Sequence, residues 1–597
     1  MGIESGGPGR ELSVPNRDSR ESLPTDRKVD RRGFLQRMTA ITAAVSAGTA
    51  VYPITPLPGS GTAAGAVSAP RAPGSRRKRP SGSRDPFRRP LPLPEASRIS
   101  LNDPVALSLA ELASLIEAGR LSPVELVEAY LARIDAHDSV YRAFKLVLAD
   151  EALADAEELA RASWRGPLHG IPLAVKDNFY TAGVPTLANS HIFEDFVPDF
   201  DATAVSRLQG AGAILLGKTE MGPLATSRAT TPDGDWTTLN AWAPHIPEVS
   251  PGGSSSGSAT SVASRMAASS IGTQTGGSIN NPSLALGLTG LKPTMGRASV
   301  YGVIPLTYTR DHPGPLARDA LDAAIIMQAI AGPDPSDPRT LGLPEVSDLV
   351  EAATPIRTNG RPAVRWPTTL GVLPGYLDLE VSGAGDEDTE EERVARRGRS
   401  EAEVNARKEM LRVFEELGVR VVEVNLPEDW EILSGRLFNN VRLPERSEPF
   451  LEVLREDVRK FGVSLAPWIN GLLLDGTEYL RGQRAKLLLL ERVLDQFFGH
   501  CDVVVQTDAY RFDIIGLPLI NFPIGFEEAS TGYPRPLGAM LGGMPYAEDR
   551  LLSLAAAYQE VTDWHRRRPA EPETFVVDGR EARRPRINLR EVMEVGE

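Results

Sequence analysis

From Ser108 onward the apolar positions recur at helical intervals. Leu109, Leu112, Leu115 and Ile116 fall on one stripe, and Gly119 ends it. Ser122-Pro123 opens a second helix, with Ser as N-cap and Pro in the first turn; its stripe is Leu126, Val127, Tyr130, Leu131 and Ile134, and it is expected to run through Ile134. An alanine-rich helix is expected over 150–162. Short apolar runs at 171–175, 213–216 and 269–273 are bounded by Gly or Pro, as strands buried in a central sheet are. Helices are further expected at 320–331 and 405–417, with a strand at 420–424. The alternation predicts an α/β fold, and no repeat at solenoid spacing interrupts it.

The front of the chain has a different pattern. Residues 1–29 are polar and poor in apolar side chains. Asp30-Arg31-Arg32-Gly33-Phe34-Leu35-Gln36-Arg37 follows, and then an uncharged, mildly apolar run over 38–51. A paired arginine, Phe-Leu and a weakly hydrophobic run resemble a twin-arginine export signal, with Ala64-Gly65-Ala66 as its cleavage site. The run falls short of the roughly 20 apolar residues of a membrane-spanning helix. We therefore expect a disordered N-region and signal at 1–66, a Pro/Arg-rich linker at 67–98, a body at 99–575 with a charged insertion at 377–402, and a tail at 576–597. This organisation implies export to a bacterial periplasm, envelope or exterior, with no stable membrane span once the signal is removed.

Composition narrows the function. The net charge is -14, yet residues 1–98 hold 17 Lys and Arg against 8 Asp and Glu, so the body is more acidic than the whole. Such a body does not suit a phosphate backbone, and no nucleic-acid partner is expected. Cys501 is the single cysteine, which excludes an intrachain disulfide and a cysteine-based zinc site. It opens the apolar run Cys501-Asp-Val-Val-Val505 and reads as a buried core thiol. The seven histidines form no close metal-binding pair, so no metal or other cofactor is expected.

Three segments carry candidate chemistry. In Gly170-Ile-Pro-Leu-Ala-Val-Lys176-Asp177-Asn178 a lysine follows an apolar strand, where desolvation penalises its ammonium and leaves a general base; the same pattern also fits a lysine reaching from a strand end to water. Ser250-Pro-Gly-Gly-Ser254-Ser-Ser-Gly-Ser-Ala259 has the composition of a linker but runs into an apolar helix expected at 259–268, so it belongs inside the fold. Its G-x-S-x-G would make Ser255 the nucleophile of an α/β-hydrolase, but that turn needs a strand before it, and 243–251 holds three prolines. A phosphate loop is excluded by the missing G-K-[ST] ending. In Ser270-Ile-Gly-Thr-Gln274-Thr-Gly-Gly-Ser278-Ile-Asn280-Asn-Pro a strand leads to two glycines and a serine, a turn that can aim backbone N–H groups at one point.

Together the three resemble the amidase signature family: a lysine after an apolar strand, a G-G-S-S-[GS]-G-S-A segment and a G-T-x-T-G-G-S-I segment, with Ser254 and Ser278 at the family's spacing. Gly217-Lys-Thr-Glu-Met221, Gly290-Leu-Lys-Pro-Thr-Met-Gly-Arg297, Tyr301-Gly-Val-Ile-Pro305 and Asp311-His-Pro-Gly-Pro-Leu-Ala-Arg318 extend the similarity, as does Ala555-Ala-Ala-Tyr-Gln-Glu-Val-Thr-Asp-Trp564. The resemblance implies a central mixed sheet covered by helices on both faces. It implies Ser278 as nucleophile, Ser254 as a bridging serine held by a cis peptide bond, and Lys176 as the base. The N–H groups of Thr275, Gly276, Gly277 and Ser278 would form the oxyanion hole. The expected reaction is hydrolysis of a small-molecule carboxylic amide to acid and ammonia or amine through an acyl-enzyme.

Two residues depart from the family: Gln274 stands where Asp is common, and Asn280 where Arg is. The hydrogen-bond network under the loop is therefore expected to differ. Two other functions share these motifs, an A-like subunit of the glutamyl-tRNA amidotransferase and an exported inactive homologue acting as a binding protein.

Overall fold

The computed structural model of the protein describes residues 86–87, 91–378, 390–435, 437, 439–529 and 532–572. The expected signal at 1–66, most of the linker and the tail at 576–597 lie outside the described residues. Among the described residues no helix is long and apolar enough to cross a membrane.

Capping boxes start the first two helices. Ser108 and Glu111 exchange hydrogen bonds ahead of Leu109–Glu117, and Ser122 and Glu125 do so ahead of Pro123–Tyr141. The second helix continues past Ile134 because 135–141 contains no Gly or Pro to stop it. It ends where Arg142 turns left-handed (φ 52°) and the Asp138 carboxylate accepts the Ala143 N–H at 2.7 Å. The helices Ala149–Arg161 and Ala320–Ile330 lie within a residue of the expected spans.

The strands are β1 (Phe144–Val147), β2 (Pro172–Lys176), β3 (Ile214–Thr219), β4 (Ser269–Gln274), β5 (Thr289–Lys292) and β6 (His312–Ala317). After these come β7 (Ile356–Thr358) and β8 (Arg361–Ala363), which pair only with each other, then β9 (Thr369–Val372), β10 (Arg420–Glu423), β11 (Val503–Gln506), β12 (Leu519–Glu528) and β13 (Pro534–Gly543). Eleven of them form one sheet in the order β1-β3-β2-β4-β6-β5-β12-β13-β11-β9-β10. β2 lies parallel to β3 and β4, whereas β4–β6, β5–β6 and β5–β12 are antiparallel, so the sheet is mixed. Every residue of β2 to β6 is buried, which requires helices on both faces.

Three expectations are corrected. The expected linker reaches too far, because Phe87 is buried in the core and Leu91 and Leu93 pack against it. The body thus begins before residue 99. The expected insertion at 377–402 is in its second part the front of a helix, Glu390–Glu416; dense charge does not oppose a helix when the residues are Glu, Arg and Ala. Residues 379–389 lie outside the described residues. The helix expected at 259–268 instead spans Ser256–Ala263, and the chain reverses at Arg265 with φ 63°.

The early start of that helix follows from its glycine. A Cβ on Gly257 would lie 2.3 Å from Ala143 O and 2.6 Å from Glu220 O, so only glycine lets this turn rest on those backbones. The linker-like composition is therefore a packing device.

Candidate active site

β2 delivers Lys176 to the end of the sheet, opposite Thr219 and next to the end of β4. The side chain is fully buried and does not reach water. Its Nζ lies 2.8 Å from Ser254 Oγ, 2.9 Å from Thr273 Oγ1 and 3.3 Å from Thr273 O. Asn178 donates to the same Thr273 hydroxyl at 2.9 Å. No carboxylate lies within ion-pair distance among the described residues, and burial pulls the Lys176 amine down to about 7, against the opposing pull of Asp311. Neighbouring Lys218 is equally buried but stands 3.0 Å from Asp177 Oδ1. The Lys218 amine donates to the Thr186 hydroxyl at 2.8 Å, whereas Lys176 lies 2.8 Å from the Ser254 hydroxyl.

Ser254 is also buried, and the Gly253–Ser254 peptide is cis. A Cβ on Gly253 would meet Ser227 O at 2.5 Å, so a side chain there would push the serine off its place. Ser255, the alternative nucleophile, donates to Thr273 O at 3.4 Å from a fully buried position. Ser278 follows β4 and retains 7% exposure. Among the described residues no hydrogen bond links Ser278 to Ser254. The structure thus brings Lys176 and Ser254 together and leaves Ser278 on the adjoining loop; such links commonly tighten only around substrate.

The four expected oxyanion donors do not all face one way. The Gly277 N–H donates to Asp513 Oδ2 at 2.7 Å and is not available. With φ 92° at Gly277, the chain turns that amide under the loop. Among the described residues the N–H groups of Thr275, Gly276 and Ser278 make no hydrogen bond. The Thr275 hydroxyl donates to Asp311, whose other oxygen accepts Leu306 N–H at 2.8 Å.

Gln274 and Asn280 rebuild the support with amides. Gln274 Oε1 accepts Ile279 N–H at 2.8 Å and Asn280 N–H at 2.9 Å, and its Nε2 donates to Asn280 Oδ1 at 2.7 Å and Asp513 Oδ1 at 2.9 Å. Asn280 donates onward to Asn521 Oδ1 at 2.9 Å. Burial raises the Asp513 pKa, while Lys292 (3.7 Å away) and Arg310 pull it down. Sequence reasoning missed Asp513. It lies 236 positions from Gly277, and no local pattern marks it.

Cys501 is buried as expected, donates to Phe497 O at 3.2 Å, and is pushed up to about 12 by burial. Among the described residues no group of three or more His, Cys, Asp or Glu is placed to hold a metal ion.

Comparison with known proteins bears on the family and the fold. The Amidase family model matches residues 125–362. The A-type component of the glutamyl-tRNA(Gln) amidotransferase of Burkholderia vietnamiensis is 33% identical over 516 residues, covering 78% of this chain and 99% of that protein. The solved peptide amidase of Stenotrophomonas maltophilia is 27% identical with a TM-score of 0.62, covering 76% of this chain and 96% of its own. A peptide amidase bound to the competitive inhibitor chymostatin has 27% identity and a TM-score of 0.64, covering 78% of this chain and 99% of its own.

Proposed function

The chain belongs to the amidase signature family and is an amide-hydrolysing enzyme, and from that premise we propose that it works through an acyl-enzyme at Ser278. The observation that carries this reading is the 2.8 Å contact between Ser254 and a buried Lys176 whose amine loses its proton near neutral pH.

The neutral Lys176 amine takes a proton from Ser254 as Ser254 takes one from Ser278, and Ser278 Oγ bonds to the amide carbon. The N–H groups of Thr275, Gly276 and Ser278 stabilise the oxyanion. Collapse breaks the C–N bond, and the relayed proton leaves with the amine. Water then attacks the ester, the relay takes its proton and returns it to Ser278 Oγ as that bond breaks, and the acid departs. A serine-reactive fluorophosphonate should label the protein, and Ser278→Ala should abolish both labelling and amide turnover. Labelling that survives Ser278→Ala would remove Ser278 from this role.

Residues 1–66 are read as a twin-arginine export signal on the Arg31-Arg32 pair. A component of a glutamyl-tRNA amidotransferase is the second reading, favoured by the 33% identity over nearly the whole of such a relative. Recovery of stoichiometric partner proteins with the chain from cells would select it.

A further inference from the structure

A group of cations stands beside the candidate nucleophile's loop. A Cβ on Gly276 would lie 3.2 Å from the Tyr510 ring, so that ring walls the loop. Arg442 donates to the Tyr510 hydroxyl, and the Arg310 guanidinium lies 5.4 Å from the ring centre. One helical turn after Arg442, in helix Asn439–Ser447, Arg446 lies with its guanidinium 4.9 Å over the Trp468 ring.

Arg446 is only 5% exposed, its Nε is buried without an acceptor, and among the described residues it makes no hydrogen bond or ion pair. The carboxylates nearby are committed to other donors. Asp513 holds Gly277 and Gln274; Asp311 holds Leu306, Thr307 and Thr275; Glu445 holds Thr309, Tyr479 and Gln483. Burial, then the repulsion of Arg442, lowers the Arg446 guanidinium to about 9. A buried guanidinium without an acceptor is costly, and its planar fork matches a carboxylate.

We propose that Arg446, with Arg442 beside it, binds a carboxylate carried by the substrate, so that the preferred amides are those of molecules bearing one anionic group. This rests on the amide-hydrolase reading of the neighbouring site.

The purified chain tests it with two pairs of substrates. Succinamic and glutaramic acids against butyramide and valeramide place the charge on the acyl side; N-acetylglycine against N-ethylacetamide places it on the amine side. The wild type should favour the charged member of one pair by about tenfold or more in kcat/KM. Arg446→Gln should erase that preference, and Arg446→Lys should retain part of it. Equal rates on charged and neutral members in both pairs, or a preference that survives Arg446→Gln, would overturn the proposal. Succinate and glutarate supply a readout independent of turnover. They should raise the melting temperature of the wild type and of Ser278→Ala, but not of Arg446→Gln. Absence of that protection in the wild type counts against the anion subsite even if neutral amides are hydrolysed. Its presence supports the subsite even if no amide is.

Discussion

The Gly277 N–H donates to the Asp513 carboxylate at 2.7 Å, across 236 positions of chain, and the same carboxylate accepts the Gln274 side chain at 2.9 Å. Gln274 and Asn280 are both neutral. The negative charge under the loop is therefore supplied by a distant helix, Tyr510–Ile515, and not by the loop itself.

Placing a carboxylate at 274 should accordingly do harm. Gln274→Asp places a second carboxylate against Asp513, and two buried carboxylates in contact do not both ionise. The variant should melt lower than wild type, and Asp513→Asn in the same chain should recover part of the loss, a coupling of about 0.5–3 kcal/mol. A double-mutant cycle by thermal or denaturant unfolding measures it. Additive effects would show that Asp513 does not supply the charge.

The Lys176 amine sets a pH limb. Its folded pKa is about 7, so the base is present above that pH and is lost below it. The kcat/KM profile should rise through pH 7, and Lys176→Ala should lose that limb and about 10²–10⁴ of the rate. Stability should move the same way. The unfolded lysine keeps its proton to about 10.4, so the unfolded chain binds more protons from about 7 to about 10.4, and stability rises with pH there. Lys176→Met should remove that slope in pH-dependent unfolding.

Gly257→Ala should destabilise by about 1–3 kcal/mol or more, since both of its nearest contacts are backbone and cannot swing aside. Gly476→Ala is the control. No atom stands within 4 Å of its added Cβ, and the change should be neutral or stabilise by about 0.4–1 kcal/mol. Melting temperatures of the two variants decide it.

Replacing Arg31-Arg32 with Lys-Lys should leave the protein in the cytoplasm of an exporting host. Fractionation with a fused reporter checks this, and unchanged export would remove the twin-arginine reading.

Lys176, Ser254 and the body's helix starts were legible because their signals are local: an apolar run ending in lysine, glycines flanking a serine, Ser-x-x-Glu before a stripe. The alternation of runs was likewise enough for an α/β fold with buried strands. What the sequence hid was orientation and distance. Four consecutive N–H groups in 275–278 read alike, and only the left-handed turn at Gly277 shows that one points under the loop. Asp513 and Tyr510 reach the loop from beyond β11, where neither residue stands in a recognisable pattern. The helix Glu390–Glu416 was half concealed because its charge was read as exposure without structure.

Within the main sheet, β1 to β6 fill one side and β9 to β13 the other, and among the described residues β5–β12 is the single seam between them. Lys176, Ser254 and Ser278 all belong to the first side, whereas the carboxylate that holds Gly277 belongs to the second. Two fragments divided between residues 363 and 369 would each keep their own strands, yet neither would own a finished loop. Turnover regained on mixing them would serve as a gauge of reassembly, with Asp513 as its latch.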